Sequence, residues 1–179
     1  MKNLILFAAL FSFSLTAISQ TIDQEKSMVK FSVKNLWGMN TVRGTIGDMQ
    51  GKLHFKTDDL AHSSFDMTVR PATIKSGIDK RDKDLRSAEF FDVEKYPTIQ
   101  FKSSSIQKSG TGFETKGTLT IKEISKEVTI PFTIMEQNGS TTFSGKLNIV
   151  LDDYGLGASY GVFKVGKEAA IEIVCVLKK

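Results

Sequence analysis

Residues Val128 to Leu151 read VTIPFTIMEQNGSTTFSGKLNIVL. Val128, Ile130, Phe132 and Ile134 share one parity, and so do Phe143, Leu147, Ile149 and Leu151. Between the two runs stands Asn138-Gly139, a pair that accepts the positive φ angles of a two-residue hairpin turn. Strict alternation places apolar side chains on one face of a half-buried strand. The stretch therefore predicts two antiparallel strands joined by a tight turn.

The same period runs outward in both directions. Val29, Phe31 and Val33 alternate with Lys30, Ser32 and Lys34, and Leu53 and Phe55 alternate with Lys52, His54 and Lys56. Phe65, Met67 and Val69 form a third run, and Ile99 and Phe101 a fourth. Phe113, Leu119 and Ile121 precede the opening stretch, and Ile171, Ile173, Cys175 and Leu177 close the chain. Turn residues separate the runs, at Gly47-Asp48, Asp58-Asp59, Ser109-Gly110 and Gly155 to Gly157. About eight strands at this spacing read as an antiparallel sandwich or closed barrel, and one apolar parity per strand fits a barrel with an apolar interior. Small inward positions such as Gly44, Gly51 and Gly117 lean toward an internal cavity. One segment breaks the period. Gly77 to Tyr96 is rich in charge, with Leu85, Ala88 and Phe91 at helical spacing over Asp79 to Phe91, and it predicts one or two short helices stopped by Pro97.

The 179 residues carry 24 Lys+Arg against 20 Asp+Glu, a formal charge of +4, with 40% hydrophobic and 25% charged residues. Those fractions exclude a disordered or collagen-like chain, and so mild a basic excess gives nucleic-acid binding no support. Residues 1–19 read as a secretory signal peptide: Lys2, an apolar run from Leu4 to Leu15 too short to span a bilayer, then Ala17-Ile18-Ser19. Cleavage is expected after Ser19 or Gln20. Removal takes away Lys2 alone among charged residues and leaves a charge of +3. Residues 20–179 form one domain, expected in the periplasm or outside the cell, with no stable membrane insertion. The single Cys175 has no partner for an internal disulfide.

Chemistry-bearing patterns are sparse. The two histidines, His54 and His62, have no metal-ligand spacing with Cys175, so no metal and no cofactor is expected. No Gly-x-Ser-x-Gly elbow or phosphate-cradling loop is present. Cys175 falls on an apolar parity, as a small packed hydrophobe does. Asp82, Asp84, Glu89, Asp92 and Glu94 alternate with Lys80, Arg81, Lys83, Arg86 and Lys95, a mixture that a solvated helix face explains. The inward aromatics can form a packed core or a cavity wall, since an eight-stranded barrel can hold one apolar ligand.

The run from Arg81 to Ser103 carries Leu85-Arg86-Ser87, then Phe90-Phe91-Asp92 and Tyr96-Pro97. It resembles the signature of the YceI-like family of exported, lipocalin-like, polyisoprenoid-binding proteins. Val29 to Asn35 with Val42-Arg43-Gly44 resembles the family's first hairpin. Gly117 to Ile121 with Val128 to Phe132 resembles its central one, and Asp153 to Gly157 with Val165-Gly166 its closing segment. Where many relatives carry histidine this chain has Asn35, Asp84 and Lys122, and Glu123 stands in place of a glycine; these read as surface or loop positions.

The resemblance implies an all-β, antiparallel, eight-stranded lipocalin-like barrel with a short helical insertion near its wall. The implied function is to hold a long apolar isoprenoid-type lipid (a quinone, a polyprenyl phosphate or a fatty amide) for transport, storage or stress protection. Candidate cavity residues are Phe31, Val33, Phe55, Met67, Phe90, Phe91, Phe101, Leu119, Phe132 and Phe143. Arg81 and Arg86 are the candidates for a head group. Phe90 and Phe91, if helical, would point about 100° apart. A homodimer is left open. The rival readings are a small exported hydrolase or isomerase acting on a hydrophobic substrate through acids near Asp84 to Asp92, and a binding protein whose partner is another protein.

Overall fold

The computed structural model describes residues 21–34, 40–157 and 166–178; the expected signal peptide, Asn35 and Val165 lie outside the described residues. Among the described residues ten strands form one sheet: β1 (Thr21–Ile22), β2 (Met28–Lys34), β3 (Thr41–Ile46), β4 (Gln50–His54), β5 (Ser64–Val69), β6 (Ile99–Ser109), β7 (Gly112–Ile121), β8 (Ile124–Gln137), β9 (Ser140–Val150) and β10 (Glu168–Lys178). Every pairing is antiparallel, in the order β3-β2-β10-β9-β8-β7-β6-β5-β4, with β1 also paired to β10.

The expected eight strands become ten for two reasons. β1 is two residues long, too short to show a period. In β3 the inward positions are Val42, Gly44 and Ile46, and the glycine hides the alternation. Gly44 lies opposite Phe31. A Cβ there would collide with the Phe31 ring and the Lys75 carbonyl. Gly117 likewise accommodates the Phe101 ring and the Lys102 carbonyl, and Gly51 the backbone of Asp66 and Met67. These glycines do not open space, as the sequence suggested; they let rings and neighbouring backbone approach closely.

β3 and β4 stand at opposite ends of the strand order, yet only residues 47–49 separate them. The sheet must therefore curl on itself, as its handed twist favours. The free edge of β3 is covered by the segment after β5. Thr45 and Lys75 exchange two backbone hydrogen bonds of 2.9 and 3.0 Å, and the Arg70 N–H donates to the Gly47 carbonyl at 3.2 Å. The Gly47 N–H donates to Thr73 Oγ1 at 2.8 Å. An otherwise open edge is thus occupied without a strand-to-strand seam.

Turn chemistry sets the hairpins. Asn138 and Gly139 take φ of 51° and 75° between Gln137 and Ser140, the two positive angles that a tight hairpin turn needs. Lys122, at φ 56°, opens the β7–β8 turn. In β6 the register shifts between Ser103 and Ser105, a bulge. Beside it the Ser103 hydroxyl accepts the Phe65 N–H at 2.8 Å.

The insertion holds a single helix, α1 (Asp79–Arg86), shorter than the predicted span. Asp79 and Asp82 stand in its first turn and Lys83 and Arg86 in its last, each sign at the end its charge favours. It stops because Ser87 turns extended, and both the Ser87 N–H and its hydroxyl donate to the Asp84 carbonyl, at 3.0 and 2.7 Å. Residues 87–96 form turns instead: the Ser87 carbonyl accepts from the Phe90 and Asp92 N–H groups, and Asp92 takes φ 48°. Tyr96 hydroxyl then donates to Glu123 at 2.8 Å, tying the insertion to the β7–β8 turn.

Candidate functional site

Five phenylalanines close one end of the interior. Phe55, just beyond β4, meets Phe113, Phe132 and Phe143 edge-on at centroid distances of 5.1, 5.9 and 5.6 Å and stacks with Phe65 at 6.3 Å. Phe65 meets Phe132 at 5.4 Å, and Phe113 stacks on Phe132 at 5.5 Å. Such offset and edge contacts contribute beyond the buried area itself.

Beyond this plug the inner parities of the strands do not meet, and a cavity of about 440 Å³ remains. That is within the roughly 300–1,000 Å³ typical of small-molecule sites. Its wall follows each strand away from the plug: Phe143, Gly145, Leu147 and Ile149 on β9, and Cys175, Ile173, Ile171 and Ala169 on β10. The step from Phe143 to Ile149 is about 20 Å of strand, so the space is elongated. Among the described residues, the polar side chains in the lining are those of Thr68, Arg81 and Asp84.

Nine of the ten residues singled out from the sequence line this space: Phe31, Val33, Met67, Phe90, Phe91, Phe101, Leu119, Phe132 and Phe143. Phe55 does not; it packs in the plug, because its ring is spent on other rings. Phe90 and Phe91 are not helical neighbours. They sit in the turn after α1, and the turn brings both rings to the cavity, Phe90 buried and packed over Gly157. Ile46, Met49, Ile74, Leu85 and Leu156 also line it and were not among the cavity candidates read from the sequence. Met49, Ile74 and Leu156 lie outside the strands, so no period marks them.

The two arginines part company. Arg81 lines the cavity and is held by Ser76: Nε donates to Ser76 Oγ at 2.7 Å and Nη2 to the Ser76 carbonyl at 2.6 Å. Arg86 is not in the lining; its Nη1 donates to the Ile74 carbonyl at 3.3 Å. Beneath them Asp82 is 7% exposed and accepts the Ser76 N–H at 2.8 Å together with the Ser76 hydroxyl. The Ser76 hydroxyl holds the Asp82 carboxyl below its ordinary range; burial opposes this, and the Ser76 N–H and the charges of Arg86 and Arg81 add to it. Asp84 reads as a surface position in the sequence, but α1 turns it to the cavity.

Other titratable groups lie elsewhere. His54 is exposed, and His62 Nδ1 lies 2.7 Å from Asp59 Oδ1 on the surface. Among the described residues no three His, Cys, Asp or Glu side chains gather as metal ligands. Cys175 is 4% exposed, and burial pushes its thiol up to about 11, against a weaker opposing pull from Ser27. A thiol so disfavoured as thiolate is a poor nucleophile. No helix among the described residues is long and apolar enough to cross a membrane.

Known proteins share this arrangement. BcnA of Burkholderia cenocepacia superposes with a TM-score of 0.79 at 26% identity, over 87% of this chain and 99% of that one. A polyisoprenoid binding domain from Saccharophagus degradans has the same fold, with a TM-score of 0.69 at 12% identity over 89% and 97% of the two chains. Protein YceI of Salmonella arizonae is 30% identical over 175 residues, which cover 93% of this chain and 91% of that protein. With residues 20–177 matching the YceI-like domain along its length, the chain belongs to the YceI-like family.

Proposed function

We propose that this protein is a binding protein that holds a long apolar, isoprenoid-type lipid inside the curled sheet and is exported to the periplasm or beyond the cell. The observation that carries the reading is the elongated cavity of about 440 Å³, walled almost throughout by apolar side chains. A polyprenyl tail has no hydrogen-bonding groups, so such a wall leaves none unpaired. Each Å² of apolar surface buried is worth roughly 25 cal/mol, offset by ordering a flexible chain. The Saccharophagus degradans domain of the same fold, described as polyisoprenoid binding, supports the class of ligand. Export rests on the signal-peptide pattern of residues 1–19. The role is one of carriage or storage rather than turnover: Asp82 is engaged with Ser76, Asp84 is the one carboxylate among the described lining residues and so has no acid–base partner across the cavity, and burial disfavours the Cys175 thiolate.

The test is native mass spectrometry of the protein purified from its own cells, followed by organic extraction and lipid identification. A co-purifying isoprenoid-type lipid near one per chain is the expected result. Protein that is reproducibly empty, and stays empty after incubation with polyprenyl lipids, overturns the reading.

A further inference from the structure

We infer that the mouth of the cavity selects an uncharged head group that both donates and accepts hydrogen bonds, an alcohol or an amide, over a phosphate. The inference rests on the lipid-binding reading above and deepens it. Arg81, Asp84 and Leu85 stand at i, i+3 and i+4 on α1, and this one face of the helix lines the cavity. Leu85 continues the apolar wall. Arg81 and Asp84 are half-exposed, so they stand where the cavity meets solvent.

Their hydrogen-bonding state is asymmetric. Arg81 spends Nε and one Nη2 proton on Ser76, and Nη1 has no partner among the described residues. The Asp84 carboxylate likewise has none; only its backbone carbonyl is engaged, by Ser87. The two side chains form no ion pair with each other, although three residues apart on the helix, because Ser76 draws the guanidinium away. One donor and one acceptor are thus left at the end of an otherwise apolar space.

Charge then decides between head groups. Arg81 and Arg86 both act on the buried Asp82 carboxylate, and that carboxyl is held ionised by Ser76. At the cavity itself, among the described residues, the one lining arginine, Arg81, stands against the one lining carboxylate, Asp84, so the mouth offers a head group no net positive charge. A phosphate entering here would lie beside the Asp84 charge in a partly desolvated mouth, where like charges repel more strongly than in water. A hydroxyl meets both free groups: its oxygen accepts from Arg81 Nη1 and its proton is donated to Asp84. An amide does the same through its carbonyl and N–H.

The experiment compares geranylgeraniol with geranylgeranyl phosphate, identical in tail, by titration into the lipid-free protein with binding read by native mass spectrometry and calorimetry. The alcohol is expected to bind about tenfold tighter than the phosphate. Asp84→Asn removes the charge and keeps the shape, and is expected to raise phosphate affinity about tenfold and to weaken the alcohol, whose hydrogen bond then goes to a neutral acceptor, so that the alcohol's advantage is lost. In the unaltered protein, raising the salt concentration should also narrow the gap, which tests the same repulsion without a variant. Equal or tighter binding of the phosphate by the unaltered protein overturns this inference and leaves the lipid-binding reading standing. A preference that neither Asp84→Asn nor salt alters also overturns it. Failure of both probes to bind overturns the lipid-binding reading, and this inference with it.

Discussion

Cys175 gives a quantitative probe of the interior. It lines the cavity, is 4% exposed, and its thiol is pushed up from 9.0 to about 11 by burial. At pH 8 an ordinary thiol of that starting value is roughly one-tenth thiolate, whereas the buried one is roughly one-thousandth. Alkylation requires the thiolate, so iodoacetamide should modify native protein about a hundredfold more slowly than urea-unfolded protein, before any steric shielding is added. The same shift is a stability term. The folded-state value is raised, so folding favours the protonated thiol; the contribution is fully present below pH 9 and is lost as pH rises through 11. Between pH 8 and 10.5 the native protein should lose about 2 kcal/mol more than Cys175→Val does, because valine keeps the apolar volume and removes the proton. Pulse alkylation read by mass spectrometry gives the first quantity, and urea melts of the two proteins at both pH values give the second. A native alkylation rate within about threefold of the unfolded rate, or parallel losses of stability in the two proteins, would refute the burial argument. If the rate does fall as expected, a lipid that fills the cavity should slow it further.

Other perturbations address the remaining parts. Phe101→Asp puts a charge in the cavity wall and should abolish retention of a bound lipid, read by extraction from purified protein; lipid retained at the native level would count against the cavity as the binding site. Ser76→Ala removes the hydroxyl that donates to the Asp82 carboxylate and accepts from Arg81 Nε, keeps the Ser76 N–H bond to Asp82, and should cost about 1–3 kcal/mol in chemical denaturation. A loss confined to experimental error there would show the network to be idle. The folded Asp82 carboxyl lies below 3.8, so its stabilising contribution is present above that value and disappears as pH falls through the lower folded one. Asp82→Asn should therefore flatten the acid limb of the stability curve below about pH 4, and an unchanged limb would contradict the assignment. Gly44→Ala drives a methyl into the Phe31 ring and the Lys75 carbonyl and should destabilise by about 1–3 kcal/mol; an unchanged melting temperature would mean that the β3 edge yields freely.

Local chemistry wrote most of the sheet into the sequence. The Val128–Leu151 alternation became β8, β9 and the start of the β9–β10 connection, because its period and its Asn138-Gly139 turn point to the same structure. Periodicity fails where a glycine stands at an inward position. In β3, Gly44 is small because the Phe31 ring from the neighbouring strand lies across it, and that relation is between strands, not along one. It fails again in the insertion, where the spacing of Leu85, Ala88 and Phe91 suggests a longer helix. The Ser87 hydroxyl ends α1 by bonding the Asp84 carbonyl, and Ala88 is left exposed in a turn.

The site divides along the same line. Inward parity found the cavity wall on the strands, because each strand's buried face is a property of that strand alone. Parity could not tell the five-ring plug from the open space beyond it, since both are lined by inward phenylalanines. The pairing registers set Phe113 opposite Phe132 and leave Phe143 one inward position along β9 from Gly145, the partner of Phe132, and the ring distances then gather the three at one end. Nor could charge pattern tell Arg81 from Arg86, or lift Asp84 out of a solvated face. What separates them is Ser76, an unremarked residue before α1 that captures Arg81, orders Asp82 and so leaves Asp84 unpaired at the cavity. Head-group preference is therefore set by a hydrogen-bonding choice made outside the helix that displays it. A relative with the same Phe-rich strands but another residue at the Ser76 position should keep the tail site and change what it accepts at the mouth.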